Sequence, residues 1–369
     1  MRPEVRDAMA PFLDERFGNP SSIHRWGRQA RNALEEARER LAAAIGAQRR
    51  EIVFTGSGTE ADNIALLGRW RSACRNGGAS RAIVCTAIEH RAVGSAAQCA
   101  VAEGAELVLL GVDEAGRVQP EALDEALAAA PCLVSVMWAN NEVGTVQPVR
   151  ELAERCRAAG VTFHSDAVQA FGKLRVRVDE VPCDLLALSA HKIAGPKGIG
   201  ALYIRDATPL LPLLHGGGQE RALRPGTENV AAAVGFATAA TLAVAEREAE
   251  YARLMALRTQ LEERVRAVVG DVVINGPPGD ARLPHIVSIT VPGTDQEALI
   301  IGLDLEGVAA SGASACASGA IAPSHVLTAM GAAGAGDAAV RLSIGRTTTA
   351  DDIAFAAATI GRVAAQVRA

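Results

Sequence analysis

The sequence predicts an α/β chain with a largely parallel sheet, followed by a second, smaller region. Three observations carry that prediction. Short apolar runs alternate with amphipathic helical stretches through the first two-thirds of the chain, as strand–helix crossover units require. The runs show little period-two alternation, the mark of strands covered on both faces. Polar and Gly-rich clusters follow several of them, at residues 56–60, 89–90, 140–144, 165–169 and 189–192. Ligands of open α/β sheets bind beyond the carboxyl ends of the strands, so five such clusters predict one site.

Taken in order, residues 28–45 predict a helix, with apolar side chains at helical spacing among Arg and Glu. Residues 51–54 predict a strand and 59–71 a helix. Strand 82–86 is followed by helix 92–103, and strand 107–110 by helix 120–129, with Pro120 at its start. Strand 133–138 leads to helix 149–159, which Gly160 ends. Strands follow at 161–164, 185–188 and 201–204. A long helix over 231–269 opens the second region, where strands 286–291 and 340–344 alternate with helices 296–305 and 350–367. The domain boundary is placed at 245, giving domains 1–245 and 246–369.

Composition excludes several classes. The 369 residues are 49% hydrophobic and 21% charged, which rules out a disordered chain. A net charge of −5 provides no basic excess for general nucleic-acid binding. The seven cysteines include no C-x-x-C pair, so neither a zinc nor a thioredoxin-like motif is expected. No metal site is expected, because no His, Asp and Glu grouping has ligand spacing. The odd cysteine count and the absence of an apolar leader predict the reducing cytoplasm. The Ala-rich stretch 230–244 is expected to fall short of a membrane span.

Three features can carry chemistry. Lys192 follows an apolar strand in a Gly-rich turn. It reads either as a surface lysine or as a buried, activated amine. Asp166 ends another strand, where it can cap a helix or face the cationic ring nitrogen of a cofactor. Pyridoxal phosphate needs such a carboxylate together with a lysine. The segment Gly56-Ser57-Gly58-Thr59-Glu60 is either a tight turn with a cap or an anion cradle, since helix amides and hydroxyls bind phosphate. It is not a P-loop.

Longer motifs resolve these choices. The segments FGNPSSIHRWGRQAR (17–31), EIVFTGSGTEADNIAL (51–66), IEHRAV (88–93) and ANNEVGTVQP (139–148) occur in order. FHSDAVQAFGK (163–173), LSAHKIAGPKGIGALY (188–203), HGGGQERALRPGTEN (215–229), SGASACASG (311–319), SHVLTAMG (324–331) and VRLSIGRTTT (340–349) complete the series. Over nearly its whole length the chain resembles the cysteine desulfurases of the NifS/IscS type, within the class V aminotransferase group. That resemblance implies a fold-type I pyridoxal-phosphate enzyme: a large domain with a mostly parallel seven-stranded sheet between helices, plus a smaller α+β domain.

The resemblance also implies roles by position. Lys192 matches the lysine that binds the cofactor covalently, and Asp166 the carboxylate that keeps its ring nitrogen protonated. His90 matches the imidazole that stacks on the ring and relays protons. Gln169 and Asn141 match groups that bond the phenolic oxygen and the ring's surroundings. Gly58, Thr59, Ser189 and His191 match the phosphate cradle. Thr227 matches a phosphate contact arriving from the other subunit, so a homodimer is implied. Arg341 matches the clamp on the substrate carboxylate. Cys316 matches the nucleophile, on a loop of small residues, that takes sulfur from L-cysteine and releases L-alanine. The persulfide passes to an acceptor such as an iron–sulfur scaffold or a tRNA-thiolation enzyme. The other six cysteines are expected to be small buried residues, and His24 to lie near the site entrance.

The chain departs from the family pattern at Ala190, Pro225 and Ala313, and the segment that usually precedes Arg2-Pro3-Glu4-Val5 is not present. The expectation is therefore that the sequence starts at an internal methionine of a longer product. Selenocysteine lyase, another class V aminotransferase, and a non-catalytic scaffold homologue are the alternative functions.

Overall fold

The computed structural model describes residues 1–75, 81–312, 324–332 and 337–368. The chain divides into two compact units. The first comprises Met1–Leu110, Pro120–Trp138 and Pro148–Arg247; the second comprises Gly111–Gln119, Ala139–Gln147 and Glu248–Ala369. The change of unit along the C-terminal half falls inside a helix, Val230–Val269.

The first unit holds a seven-stranded sheet. Its strands are β1 (Ile52–Thr55), β2 (Ala82–Thr86), β3 (Glu106–Leu110), β4 (Leu133–Ser135), β5 (Thr162–Asp166), β6 (Leu185–Ser189) and β7 (Gly200–Ile204), in the order β1-β7-β6-β5-β4-β2-β3. Neighbours from β6 through β3 are parallel. β7 is antiparallel to both β6 and β1, so the sheet is mixed at one end. Residues 190–199 alone join β6 to β7, too short a connection for a parallel crossover. β2, β6 and β7 are buried at every position, which explains their unbroken apolar runs. The strand expected over 133–138 ends at Ser135, although Val136 N and Trp138 N still donate to His164 O and Asp166 O.

The helices α1 (Pro3–Met9), α2 (Arg25–Ile45), α3 (Gly58–Arg75), α4 (Arg91–Ala102), α5 (Pro120–Leu127) and α6 (Val149–Ala158) belong to this unit. In α2, His24 Nδ1 accepts from Gly27 N at the start, and Gly46 ends the helix at φ 71°. This gives His24 a capping task. α3 is buried on most of its surface, and Ala61, Ile64, Ala65 and Trp70 share one core with Val53, Ile83, Leu133, Leu185 and Leu202. Each large apolar side chain so buried contributes roughly 1.5–3 kcal/mol.

The second unit is built on a four-stranded antiparallel sheet. β8 (Val273–Ile274), β9 (Ile286–Val291), β10 (Ser311–Gly312) and β11 (Ala338–Ser343) lie in the order β10-β11-β9-β8. After α7 (Val230–Val269), the helices are α8 (Gln296–Leu305), α9 (His325–Ala329) and α10 (Ala350–Val367). Leu254, Leu257 and Leu261 of α7 pack with Val287, Ile289, Leu299, Val340 and Ile360. The inserted segments 111–119 and 139–147 are tied within this unit. Gln147 Oε1 accepts from Val118 N at 2.9 Å, and Thr145 bridges to Arg282.

α7 corrects one expectation, being long and apolar enough to cross a membrane by length and composition. Its Ala231, Ala233, Phe236, Ala240, Leu254, Leu261 and Val265 are instead buried within the units.

Candidate functional site

In the first unit, the predicted residues gather where β5 and β6 end. Asp166 is the last residue of β5 and is 6% exposed. Its Oδ1 accepts from Val168 N at 2.8 Å, in a tight turn that reverses the chain after the strand. Burial raises its pKa, opposed by the Val168 N–H and by the positive potential of His90 and Lys192. Gln169 follows on the same turn and is half-buried.

β6 ends at Ser189, and residues Ala190–Ile193 form a 3₁₀ turn. Ser189 Oγ lies 2.9 Å from His191 Nδ1. Burial, with Lys192 and Lys197 nearby, lowers the His191 pKa. The turn buries Ala190 and Ile193 and leaves Lys192 exposed. Of the two readings of Lys192, a surface lysine or a buried amine, the structure shows the exposed one. The Lys192 carbonyl accepts from Lys173 Nζ at 3.2 Å.

The turn from β1 into α3 completes this region. Ser57 Oγ accepts from Glu60 N, while a Glu60 carboxylate oxygen accepts from Gly56 N. Glu60 is held in turn by Arg224 at 3.0 Å. Gly58 is buried, and a Cβ there would lie 2.7 Å from Val168 Cγ2 and 3.5 Å from Ser189 Cβ. The backbone of the cradle thus approaches β5 and β6 as closely as only glycine allows. Thr59 is exposed beside it.

His90 caps α4, its Nδ1 accepting from Ala92 N at 3.1 Å. Asp62, His90 and Asp166 bring ligand-type atoms within 4.8 Å of one another. No residue spacing signals this grouping. The adjacent Glu89 is buried, its Oε1 accepting from Thr86 Oγ1 and from Met137 N, both at 2.8 Å. Burial pushes its pKa up to about 8.

Thr227 is not gathered with this group. It is exposed and lines a surface cleft with Phe12, Leu13 and Phe17. Leu13 and Phe17 are themselves exposed.

The second unit holds Asn141 and Arg341. Arg341 sits on β11 between Ser288 and Ser311. Its Nη1 donates to Asn141 O at 2.9 Å, and its Nε is buried without a hydrogen bond among the described residues. Nearby in the chain, Ser324 Oγ donates to the buried Glu142 carboxylate at 2.5 Å. Cys316 lies outside the described residues. Of the other cysteines, Cys85, Cys132, Cys156 and Cys183 are buried, whereas Cys74 and Cys99 are exposed on helix surfaces, which corrects the expectation for those two. Burial raises all four buried thiols, Cys132 to about 11 and Cys156 to about 12.

Sequence reasoning missed Asp62 and Ser135, placed Glu89 only within a polar cluster, and read His164 as packed or hydrogen-bonded. A signal for Asp62 exists in retrospect. It is a lone acid amid Ala61, Ile64, Ala65 and Leu66, inside a helix buried on most sides.

The fold and this site define a class. The chain belongs to the class V aminotransferase family, whose profile matches residues 1–355. Members of that family are pyridoxal-phosphate enzymes, and so is this chain. The particular relatives are desulfurases. The cysteine desulfurase IscS of Dictyoglomus turgidum is 42% identical over 369 residues, covering 100% of this chain and 93% of that protein. The cysteine desulfurase NifS of Azotobacter vinelandii is 41% identical, covering 99% and 90%. A solved NifS-like protein superimposes with a TM-score of 0.92 at 33% identity, over 99% of this chain and 96% of that one.

The residues present fit pyridoxal phosphate. A buried carboxyl suits a ring nitrogen, an exposed lysine amine suits an aldehyde, and a glycine-lined helix start with Ser189 and His191 suits a phosphate.

Proposed function

We propose that this chain is a pyridoxal-phosphate-dependent cysteine desulfurase that converts L-cysteine to L-alanine and leaves the sulfur on Cys316. The observation that carries the reading is the placement of Asp166 and Lys192 at the ends of neighbouring strands. A buried carboxyl ends β5, burial disfavours its anion, and the Val168 N–H, His90 and the lysine beyond β6 oppose that.

When bound, the cofactor supplies an electron sink conjugated to the substrate's α-carbon. Lys192 is assigned to hold it and Asp166 to accept a hydrogen bond from its ring nitrogen. Gly58, Thr59, Ser189 and His191 are assigned its phosphate, and Gln169 and Asn141 its phenolic oxygen and surroundings. His90 is assigned to pack against the cofactor and would move a proton together with the Lys192 amine. Arg341 clamps the substrate carboxylate, where a guanidinium fork fits two oxygens. Its hydrogen bond to Asn141 O orients the fork.

The Cys316 thiolate attacks the substrate sulfur. The new S–S bond forms as the substrate's C–S bond breaks, and the electron pair and a proton go to the carbon that becomes the alanine methyl. L-cysteine and one thiol thus become L-alanine and one persulfide, with no external oxidant.

A homodimer is part of this reading. The exposed Thr227 beside exposed Leu13 and Phe17 supports a second subunit there. The persulfide goes to an iron–sulfur scaffold or a tRNA-thiolation enzyme. The free state of the six described cysteines supports work in the reducing cytoplasm.

The test is a visible spectrum of the purified chain with pyridoxal phosphate, before and after L-cysteine, with sulfide and alanine assayed together. A cofactor band that Lys192→Ala abolishes, with turnover that Cys316→Ala abolishes, is the expected result. Turnover that survives Cys316→Ala points to another class V activity. Faster turnover of L-selenocysteine than of L-cysteine points to a selenocysteine lyase. No band in the folded wild type leaves a scaffold.

A further inference from the structure

Behind Asp166 lies a buried polar cluster that the proposed reaction does not use. His164 and Asp166 are two apart on β5, so they share a face of the strand. Register sets His164 beside Ser135 of β4, with Ser135 Oγ 2.8 Å from His164 Nδ1. The other ring nitrogen, Nε2, faces Asp62 Oδ1 of α3 at 3.5 Å. At that distance the two atoms face each other without a hydrogen bond, and neither has a hydrogen-bond partner among the described residues. Asp62 is 1% exposed, and Ser135 and His164 are 0% exposed.

Asp62 also lies within 4.8 Å of Asp166. Two carboxylates this close in a dry site cannot both stay ionised, so one of them holds a proton. The surroundings decide which. Burial disfavours the Asp166 anion, and the Val168 N–H, His90 and Lys192 facing it oppose that. Facing Asp62 are Asp166 and Glu89, which disfavour its anion, and burial acts the same way. His164 is neutral, because burial lowers its pKa to about 3, and it therefore carries one acceptor nitrogen. A consistent tautomer has His164 Nδ1–H donating to Ser135 Oγ, leaving Nε2 as the bare acceptor that faces the Asp62 carboxyl.

We propose that Asp62 is the proton-holding member of this buried carboxyl pair, kept so by His164, and that it thereby keeps Asp166 anionic. Asp62 and His164 are positioning residues, acting on the cofactor only through Asp166. The inference rests on the assignment of Asp166 to the ring nitrogen under the proposed function.

The test compares wild type, His164→Leu, Asp62→Asn and the double variant, all with cofactor bound. The readout is the pH titration of the visible band. His164→Leu removes the acceptor for the Asp62 proton, which then spreads onto Asp166, and the midpoint moves by about one pH unit. Asp62→Asn cannot ionise, so alone it keeps the wild-type midpoint, and in the double variant it restores it. Equal midpoints in wild type and His164→Leu overturn the proposal. So does a shift in Asp62→Asn as large as that in His164→Leu.

Infrared spectra give a second readout, on both loaded and cofactor-free protein. The C=O stretch of one protonated carboxyl is expected to vanish in Asp62→Asn and persist in Asp166→Asn, above the Glu89 signal common to both. The reverse pattern overturns the proposal. A wild type with no visible band counts against the proposed function, while the infrared result still decides where the proton sits.

Discussion

Arg38 and Glu220 form a buried two-pronged ion pair, with Arg38 Nη1 and Nη2 each 2.7 Å from a Glu220 oxygen. The same carboxylate accepts from Phe54 N at 2.8 Å, so one acid ties α2, β1 and the segment after β7 together. That segment needs tying. Glu220, Arg221 and Ala222 all adopt positive φ, at 45°, 60° and 57°, a region that non-glycine residues avoid. Removing Glu220 leaves the buried Arg38 guanidinium with Ile52 O at 3.0 Å and Glu35 at 3.5 Å to offset its charge. Glu220→Ala is expected to destabilise the first unit by about 3–5 kcal/mol, read from urea unfolding. A change under about 1 kcal/mol would show that the pair does not hold the strained turn.

The turn that precedes α3 is set by a glycine on a different strand. A Cβ on Gly200 would lie 2.4 Å from Ser57 C and 2.6 Å from Ser57 O. Both are backbone atoms, so nothing can rotate away. Gly200→Ala is expected to cost roughly 1–3 kcal/mol and to weaken pyridoxal-phosphate affinity, because it pushes Gly58 off β6. Thermal melts and cofactor titration check the two effects together. A destabilised variant with unaltered affinity would detach this turn from the cofactor.

Glu89 makes stability depend on pH. Its pKa is raised from 4.5 to about 8 in the fold. Between those values the folded chain binds the proton more tightly than the unfolded chain does. Stability therefore falls as pH rises across that window, by about 1.4 kcal/mol per pH unit at most from this group. The contribution is full below the lower value and gone above the upper one. Glu89→Gln is expected to flatten the profile of melting temperature from pH 5 to pH 8. A slope unchanged in that variant would assign the dependence to other groups.

In the second unit, Ser324 has two tasks. Its Oγ caps α9 by accepting from Val326 N and Leu327 N, and donates to Glu142. Ser324→Ala is expected to cost about 1–3 kcal/mol, combining the lost cap with the lost hydrogen bond to a buried carboxylate. Ser324→Thr retains the hydroxyl and should recover most of that loss in the same denaturation series.

Much of the fold was legible because its strongest signals are local. β2, β9, α8 and α10 occupy the residues that apolar runs and cap residues mark in the sequence. Elements that depend on distant partners were not legible. α1 is a short helix docked through Arg2 N to Ala194 O and through Arg2 to Glu246. The antiparallel β7 follows from a short connection that an apolar run cannot announce. The site divides in the same way. Asp166 and Lys192 stand at strand ends, where an acid or a lysine is conspicuous. Asp62 stands where an ordinary helix shows an acid to water, and only the packing of α3 against β5 makes it unusual.

The buried thiols described above carry one last consequence. A desulfurase that forms a persulfide risks scrambling it among its own cysteines, and that exchange needs a thiolate. Cys85, Cys132, Cys156 and Cys183 are protonated well past neutral pH and covered by side chains. They form a non-conducting interior, with no thiolate at these four positions to which sulfur could pass.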